Sequence, residues 1–325
     1  MNTGDPLRAA ALAAIQCLAV DERDRVLIVS NPPQRTIAEA LREAAQSRTT
    51  RVRLLEFPAL SRHGEEPPDN ATCGFEQATV VLAPTVYSLS HTQTRIRASS
   101  RGVRVAGMSS LDEAAFTAAL PVNYTQLTET AQAVAAALTT ANTSHITSPA
   151  GTDLHLQLQG RRAHADSGDL QGPGAFGTLP AGEAYIAPLE AASGGTLVID
   201  GSLAGYGLLH ELLSINLRGG RIIDAAGEAA EWLLQTLDSG GDGGRTLAEL
   251  GIGVNPGATL TGVSIVDEKA RGTAHLAFGT NTSFGGANSA RVHIDGVLLN
   301  PTVRLDGHVL IEDGRLRIGS EAGRR

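Results

Sequence analysis

Three side chains in the last third of the chain, of types that hold metal ions, stand out by their spacing. His293 and Asp295, in ARVHIDGVLL, stand two apart on an alternating run, and residues two apart on an extended strand share a face. His275, in GTAHLAFG, lies on another such run, reached through a Gly-rich turn. Two imidazoles and a carboxylate brought to one point make a workable ligand set for a divalent cation. Ahead of them Asp267, Glu268 and Lys269 form a cluster of ionisable groups before a Gly-Thr. Two further carboxylates stand out by their surroundings. Glu183, in LPAGEAYIAP, sits at the mouth of a strand, and Glu249, in LAELGIGVNPG, at the end of a helical turn leading into a Gly-rich loop. Apolar and glycine neighbours imply burial, and a buried carboxylate needs a partner such as a metal.

Each group also has a plainer reading. His275 alone would be a core histidine, His293 and Asp295 a strand-face ion pair, and the Asp-Glu-Lys run a solvent-facing turn closed by salt bridges. Lys269 is the only lysine among 26 basic residues. A bias toward arginine codons explains the arginines; a lone lysine kept beside these groups is a mild functional hint.

The elements that must position these groups fall into two textures. Up to about residue 140, apolar runs (Arg25–Ser30, Val52–Phe57, Ala78–Ala83, Val103–Met108) alternate with helical stretches such as Thr36–Gln46. Continuous apolar runs of this kind are buried parallel strands. They predict a small doubly wound α/β domain over residues 1–142, closed by an Ala-rich helix from Thr125 to Ala141. Thr143–Pro149 reads as a linker. From 150 to 325 short alternating runs are separated by glycines, the pattern of antiparallel hairpins in an α+β, β-rich domain. One helix, Ala225–Asp238, interrupts it, and Ser239–Gly244 is a turn.

Several function classes are disfavoured. NPPQRT after the first strand has no glycines for a pyrophosphate, and a Walker A loop needs a lysine the chain does not have there. A net charge of −8 argues against nucleic acid as a partner. No window approaches a membrane span, and the Pro6–Val20 run, interrupted by Arg8, suits an amphipathic helix rather than a signal peptide. Cys17 and Cys73 show no metal spacing and make no disulfide framework, so a reducing cytoplasm is the default location. His91, Thr92 and Arg95 follow a strand's C-terminal end, where open α/β sheets place ligands, but a solvated helix start explains them better. His155, His164, His210 and His308 read as structural or surface.

In order along the chain, LPAGEAYIAP, GTLVIDGS, AELGIGVNPGA with a later TG, DEKARGTAHLAFG and HIDGV resemble the signature segments of the aminopeptidase T / aminopeptidase S metallopeptidases. The likeness covers roughly residues 150–315 well, and the N-terminal domain in outline. It implies a dimeric enzyme with two divalent ions held by Glu183, Glu249, His275, His293 and Asp295. The family has a tyrosine a few residues after the first histidine; here TNTSF occupies that place, with Thr282 aligned to it. The 2,5-dihydroxypyridine 5,6-dioxygenases share the scaffold and look like shortened members with one iron on two histidines and a carboxylate, which His275, His293 and Asp295 could supply.

Five oxygen and nitrogen ligands suit a two-metal hydrolytic site (zinc, cobalt or manganese) better than a single Fe(II). The expectation is therefore a metallohydrolase that cleaves an amide bond in a small peptide or peptide-like metabolite with a metal-activated water. Glu268 is the candidate general base, and Lys269 the candidate for polarising the carbonyl or binding a carboxylate. The ring-cleaving iron dioxygenase is the alternative, and a binding protein on a degenerate peptidase scaffold the third reading.

Overall fold

The protein, as a computed structural model, is described over residues 5–318. Its contacts divide the chain into two units: Met1–Tyr124 with Gly168–Ala181, and Thr125–Ser167 with Gly182–Arg325.

The first unit is built on a five-stranded sheet, parallel throughout. Val52–Glu56 lies at one edge, followed by Val26–Ser30, Val80–Ala83, Arg104–Gly107 and Phe176–Thr178. Placing the second strand outside the first reverses the winding, as in doubly wound folds. Val26–Ser30 and Val80–Ala83 are buried along their whole length, which is why they read as unbroken apolar runs. Leu27, Val29, Phe75, Val81 and Val105 belong to the core of this unit. The fifth strand was not expected. It comes from a Gly- and Asp-rich segment, and three residues (Phe-Gly-Thr) at a sheet edge carry no periodicity to read.

The division also differs from the expected boundary near residue 142. Gly168–Ala181 returns to the first unit, and most of the Ala-rich helix Tyr124–Thr140 falls with the second. On that side Thr139 Oγ1 accepts a hydrogen bond from Ala163 N at 3.0 Å.

The second unit carries two antiparallel sheets, of eight and seven strands. The expected linker is instead the strand Thr143–Thr147, paired with Asp153–Gln157 and with Thr302–Leu305. Its alternation is real: Ser144 and Ile146 are buried between more exposed neighbours. The hairpin Leu213–Arg218/Arg221–Ala226 turns on Gly219 and Gly220, both at positive φ (54° and 69°), which two-residue hairpin loops require. The expected helix begins later, at Ala230, because Ala225 and Ala226 extend this hairpin. None of the described helices is long and apolar enough to cross a membrane.

Candidate metal centre

The centre is built on one face of the seven-stranded sheet. Its middle strands are Glu183–Ile186, Leu247–Gly253, Ala274–Gly279 and His293–Leu298, with His164–Asp166 at the edge beyond Glu183. Directly opposed residues of antiparallel strands share a face. One row runs His164, Tyr185, Gly251, His275, Val297. A second joins Asp166, Glu183 and Gly253, a third Glu249, Ala277 and Asp295, and Gly279 faces His293. Every metal candidate named from the sequence lies in these rows. The alternate residues, among them Ile186, Leu250, Ile252, Leu276 and Phe278, form the apolar face behind them.

Two local features of the Leu247–Gly253 strand make this possible. An irregularity in register between Leu247 and Glu249 lets Leu247 pair with Phe278 on the apolar side while Glu249 joins the ligand side. Without it, residues two apart would share a face. All seven residues of the strand are buried, so LAELGIG shows no alternation, and the expected helical turn at Glu249 is a strand. Gly251 lies under the His275 ring: a Cβ there would come within 1.9 Å of His275 Nε2.

The side chains meet in two groups that share Glu249: Glu183, Glu249 and His275, and Glu249, His293 and Asp295. His275 Nε2 lies 3.2 Å from Glu183 Oε2 and 3.4 Å from Glu249 Oε1. His293 Nε2 lies 3.4 Å from Glu249 Oε2 and 3.5 Å from Asp295 Oδ1. The Nδ1 atom of His293 is 2.8 Å from the carbonyl of Thr280, so the tautomer that donates there leaves Nε2 free to ligate.

Glu268 and Lys269 arrive from the turn after the short helix Ser264–Asp267. Asp267 fixes that turn, accepting hydrogen bonds from Thr261 N (2.6 Å) and Gly262 N (2.9 Å). The ammonium of Lys269 is fully buried, bonds closely to Glu183, and lies 2.9 Å from Glu268 and 3.5 Å from Asp166. Its three protons are thus matched to three carboxylates.

The electrostatics are those of a site that needs cationic charge. Burial pushes the Glu249 carboxyl up, but His275 and His293 outweigh it and hold it down at about 2. Burial disfavours the charged imidazoles, yet Glu183 and Glu249 raise His275 well above its usual range, and Asp295 and Glu249 do the same for His293. Burial lifts Glu268 to about 7, with Glu183 and Asp295 adding to the rise and Lys269 opposing it. Burial lowers Lys269, but Glu183, Glu268 and Asp166 more than reverse this.

These residues fit a divalent metal. Glu183 Oε2 and His275 Nε2 are buried and face each other, yet neither makes a hydrogen bond. An unpaired imidazole nitrogen and an unpaired carboxylate oxygen, set among two imidazoles and several carboxylates, are what a metal ion would satisfy.

Sequence reading missed two members of this face. His164, expected to be structural or at the surface, stacks on Tyr185 with centroids 5.4 Å apart, and Asp166 faces Lys269. Their strand is three residues long, and the one available signal was a His-x-Asp spacing like that of His293 and Asp295. Thr282, aligned to the peptidase tyrosine, is exposed in a short 3-10 turn that also carries Phe284. Phe284 packs edge-on against both Tyr185 (5.5 Å) and His293 (6.0 Å), giving the site an aromatic border.

Comparison with known proteins adds the following. A solved 2,5-dihydroxypyridine dioxygenase from Pseudomonas putida KT2440 superposes with a TM-score of 0.79 at 22% identity, covering 98% of each chain. Wild-type AmpT from Thermus thermophilus superposes with a TM-score of 0.69 at 17% identity, over 96% of this chain and 99% of that one. At such identities both likenesses establish a shared fold. No curated protein matches the chain. The family model for NicX, 2,5-dihydroxypyridine 5,6-dioxygenase, matches residues 7–318. The motifs that resemble the aminopeptidases therefore sit in a chain that belongs to the 2,5-dihydroxypyridine 5,6-dioxygenase (NicX) family.

Proposed function

We propose that this protein is an iron-dependent dioxygenase that opens an electron-rich dihydroxylated nitrogen heterocycle of the 2,5-dihydroxypyridine type. The observation that carries this reading is the family match across residues 7–318, and it reverses the preference for hydrolysis drawn from the motifs. His275, His293 and Asp295 would hold the metal, a two-histidine, one-carboxylate set that suits Fe(II). Bound there, ferrous iron supplies the one-electron chemistry that lets dioxygen react with the ring.

The chain's own groups do the rest. Glu268, whose carboxyl is lifted by burial to about 7, is suited to take a proton from a substrate hydroxyl at its Oε atoms. Lys269 is a positioning residue that orients Glu183 and Glu268 rather than a donor to substrate, because its protons already face three carboxylates. Tyr185 and Phe284 offer apolar edges against which a flat ring can lie.

The test is oxygen uptake with 2,5-dihydroxypyridine by protein stripped with a chelator and refilled with ferrous iron. Uptake that needs iron and is not restored by zinc supports the proposal; no uptake with iron-loaded protein overturns it.

One observation favours a second reading, a two-metal amide hydrolase. Glu249 faces both histidines with different oxygens and would bridge two ions, one per group. Two ions per chain by elemental analysis, with amide cleavage restored by zinc, cobalt or manganese, would select it.

A further inference from the structure

We propose that His145, Asp153 and His155 form a further metal site, open to solvent, for an imidazole-preferring transition-metal ion such as Zn2+. It lies in the eight-stranded sheet, whereas the buried centre is in the seven-stranded one. His145 and His155 are directly opposed on the antiparallel strands Thr143–Thr147 and Asp153–Gln157. Opposed residues share a face with Cβ atoms roughly 5 Å apart. Asp153, two before His155, is on that face as well, diagonal to His145. The intervening Ser144, Ile146, Leu154 and Leu156 are buried, so this is the outer side of the sheet.

The side chains are already gathered. The two imidazoles stack with centroids 4.1 Å apart and planes 4° from parallel. His145 Nε2 lies 2.8 Å and His155 Nε2 3.8 Å from the same oxygen, Asp153 Oδ1. One donor atom of each residue falls within 4.8 Å of the other two. A surface ion pair would need only His145 and Asp153. His155, stacked on His145, adds a second imidazole nitrogen that faces the same oxygen at 3.8 Å, too long for a hydrogen bond.

Two nitrogens and a carboxylate select zinc-like ions over Mg2+ or Ca2+, which prefer oxygen alone. With side chains 37%, 66% and 70% exposed (His145, His155 and Asp153), small rotations bring the donors to zinc distances, and water completes the sphere. Arg304, opposite His145 on its other neighbouring strand, faces the same side and sets a repulsive limit on affinity.

The experiment compares full-length wild type, H145A/H155A and D153N. Each is stripped with a chelator and titrated with Zn2+ against a chromogenic competitor. The buried centre is intact in all three, so its contribution cancels in the difference. Wild type is expected to take up one more zinc per chain than H145A/H155A, and D153N to hold that ion roughly tenfold more weakly or worse. Equal melting temperatures in EDTA, with a zinc-dependent rise larger in wild type than in the double variant, would support the site. Equal zinc stoichiometry in wild type and H145A/H155A would overturn it. Should the double variant unfold, H155Q is held to the same criterion.

Discussion

Substituting Gly251 by alanine tests whether the ligand face is assembled as described. The added Cβ would lie 1.9 Å from His275 Nε2, 2.1 Å from Cε1 and 2.7 Å from Cδ2. Ordinary contact requires the ring to retreat by roughly 1.5 Å. His275 is completely buried, so its ring has no solvent to swing into. Overpacking of this kind costs about 1–3 kcal/mol. A displacement of about 1 Å at a reacting centre costs on the order of 100-fold in rate. G251A should therefore lose stability by that amount in metal-free protein and at least about 100-fold in turnover, with reduced metal per chain. The decisive measurement is a double-mutant cycle by urea unfolding. In an H275A background the ring is gone, and G251A should be neutral or slightly stabilising, because alanine costs less backbone entropy than glycine. The coupling should then equal the clash, about 1–3 kcal/mol. If G251A binds metal and turns over normally, or the two substitutions are additive, the proximity of Gly251 to His275 is wrong.

Glu268 makes metal-free stability depend on pH. Its folded pKa, about 7, is raised above its ordinary 4.5, so its contribution is intact below pH 4.5 and lost as pH climbs through 7. Between pH 5 and 8 the stripped wild type should lose stability relative to E268Q, by on the order of 3 kcal/mol; parallel urea-unfolding profiles would refute this. E249Q separates the two metal readings: metal retained with activity down roughly 10–100-fold fits a supporting role around one iron, whereas loss of one ion per chain fits a bridge. Glu190 accepts hydrogen bonds from Ala287 N (2.7 Å) and Asn281 Nδ2 (3.1 Å) and pairs with Arg161, which also holds Gly285 O. E190Q should cost about 1.5–3 kcal/mol and speed hydrogen exchange at residues 281–288, the segment that carries Phe284; unchanged exchange there would count against the tether.

What was readable in advance depended on whether periodicity survived burial. His293 and Asp295 declared their shared face, because their strand alternates and one side is polar. Val26–Ser30 and Val80–Ala83 of the first unit were equally plain as continuous apolar runs, whereas the edge strand Val52–Glu56 carries Arg53 and Glu56 and is mostly uncovered. Glu249 was recognised as buried but assigned to a helical turn: its strand is covered on both faces, and the shift in register before it hides the face to which it points. His164 and Asp166 escaped notice because a three-residue strand has no period, and only pairing with Tyr185 and Glu183 gives them their position. The choice between hydrolase and oxygenase was not legible from ligand types. The same five groups suit either, and the preference came from counting carboxylates, one of which, Glu183, turns out to be shared with an ammonium.

That ammonium gives the protein a built-in reporter. Since the sole lysine side chain is sealed among acids, amine-directed reagents offered to the native chain will leave it unmodified. A single isotope-labelled methyl or acyl group captured at Lys269 would then time each opening of the pocket without any engineered probe.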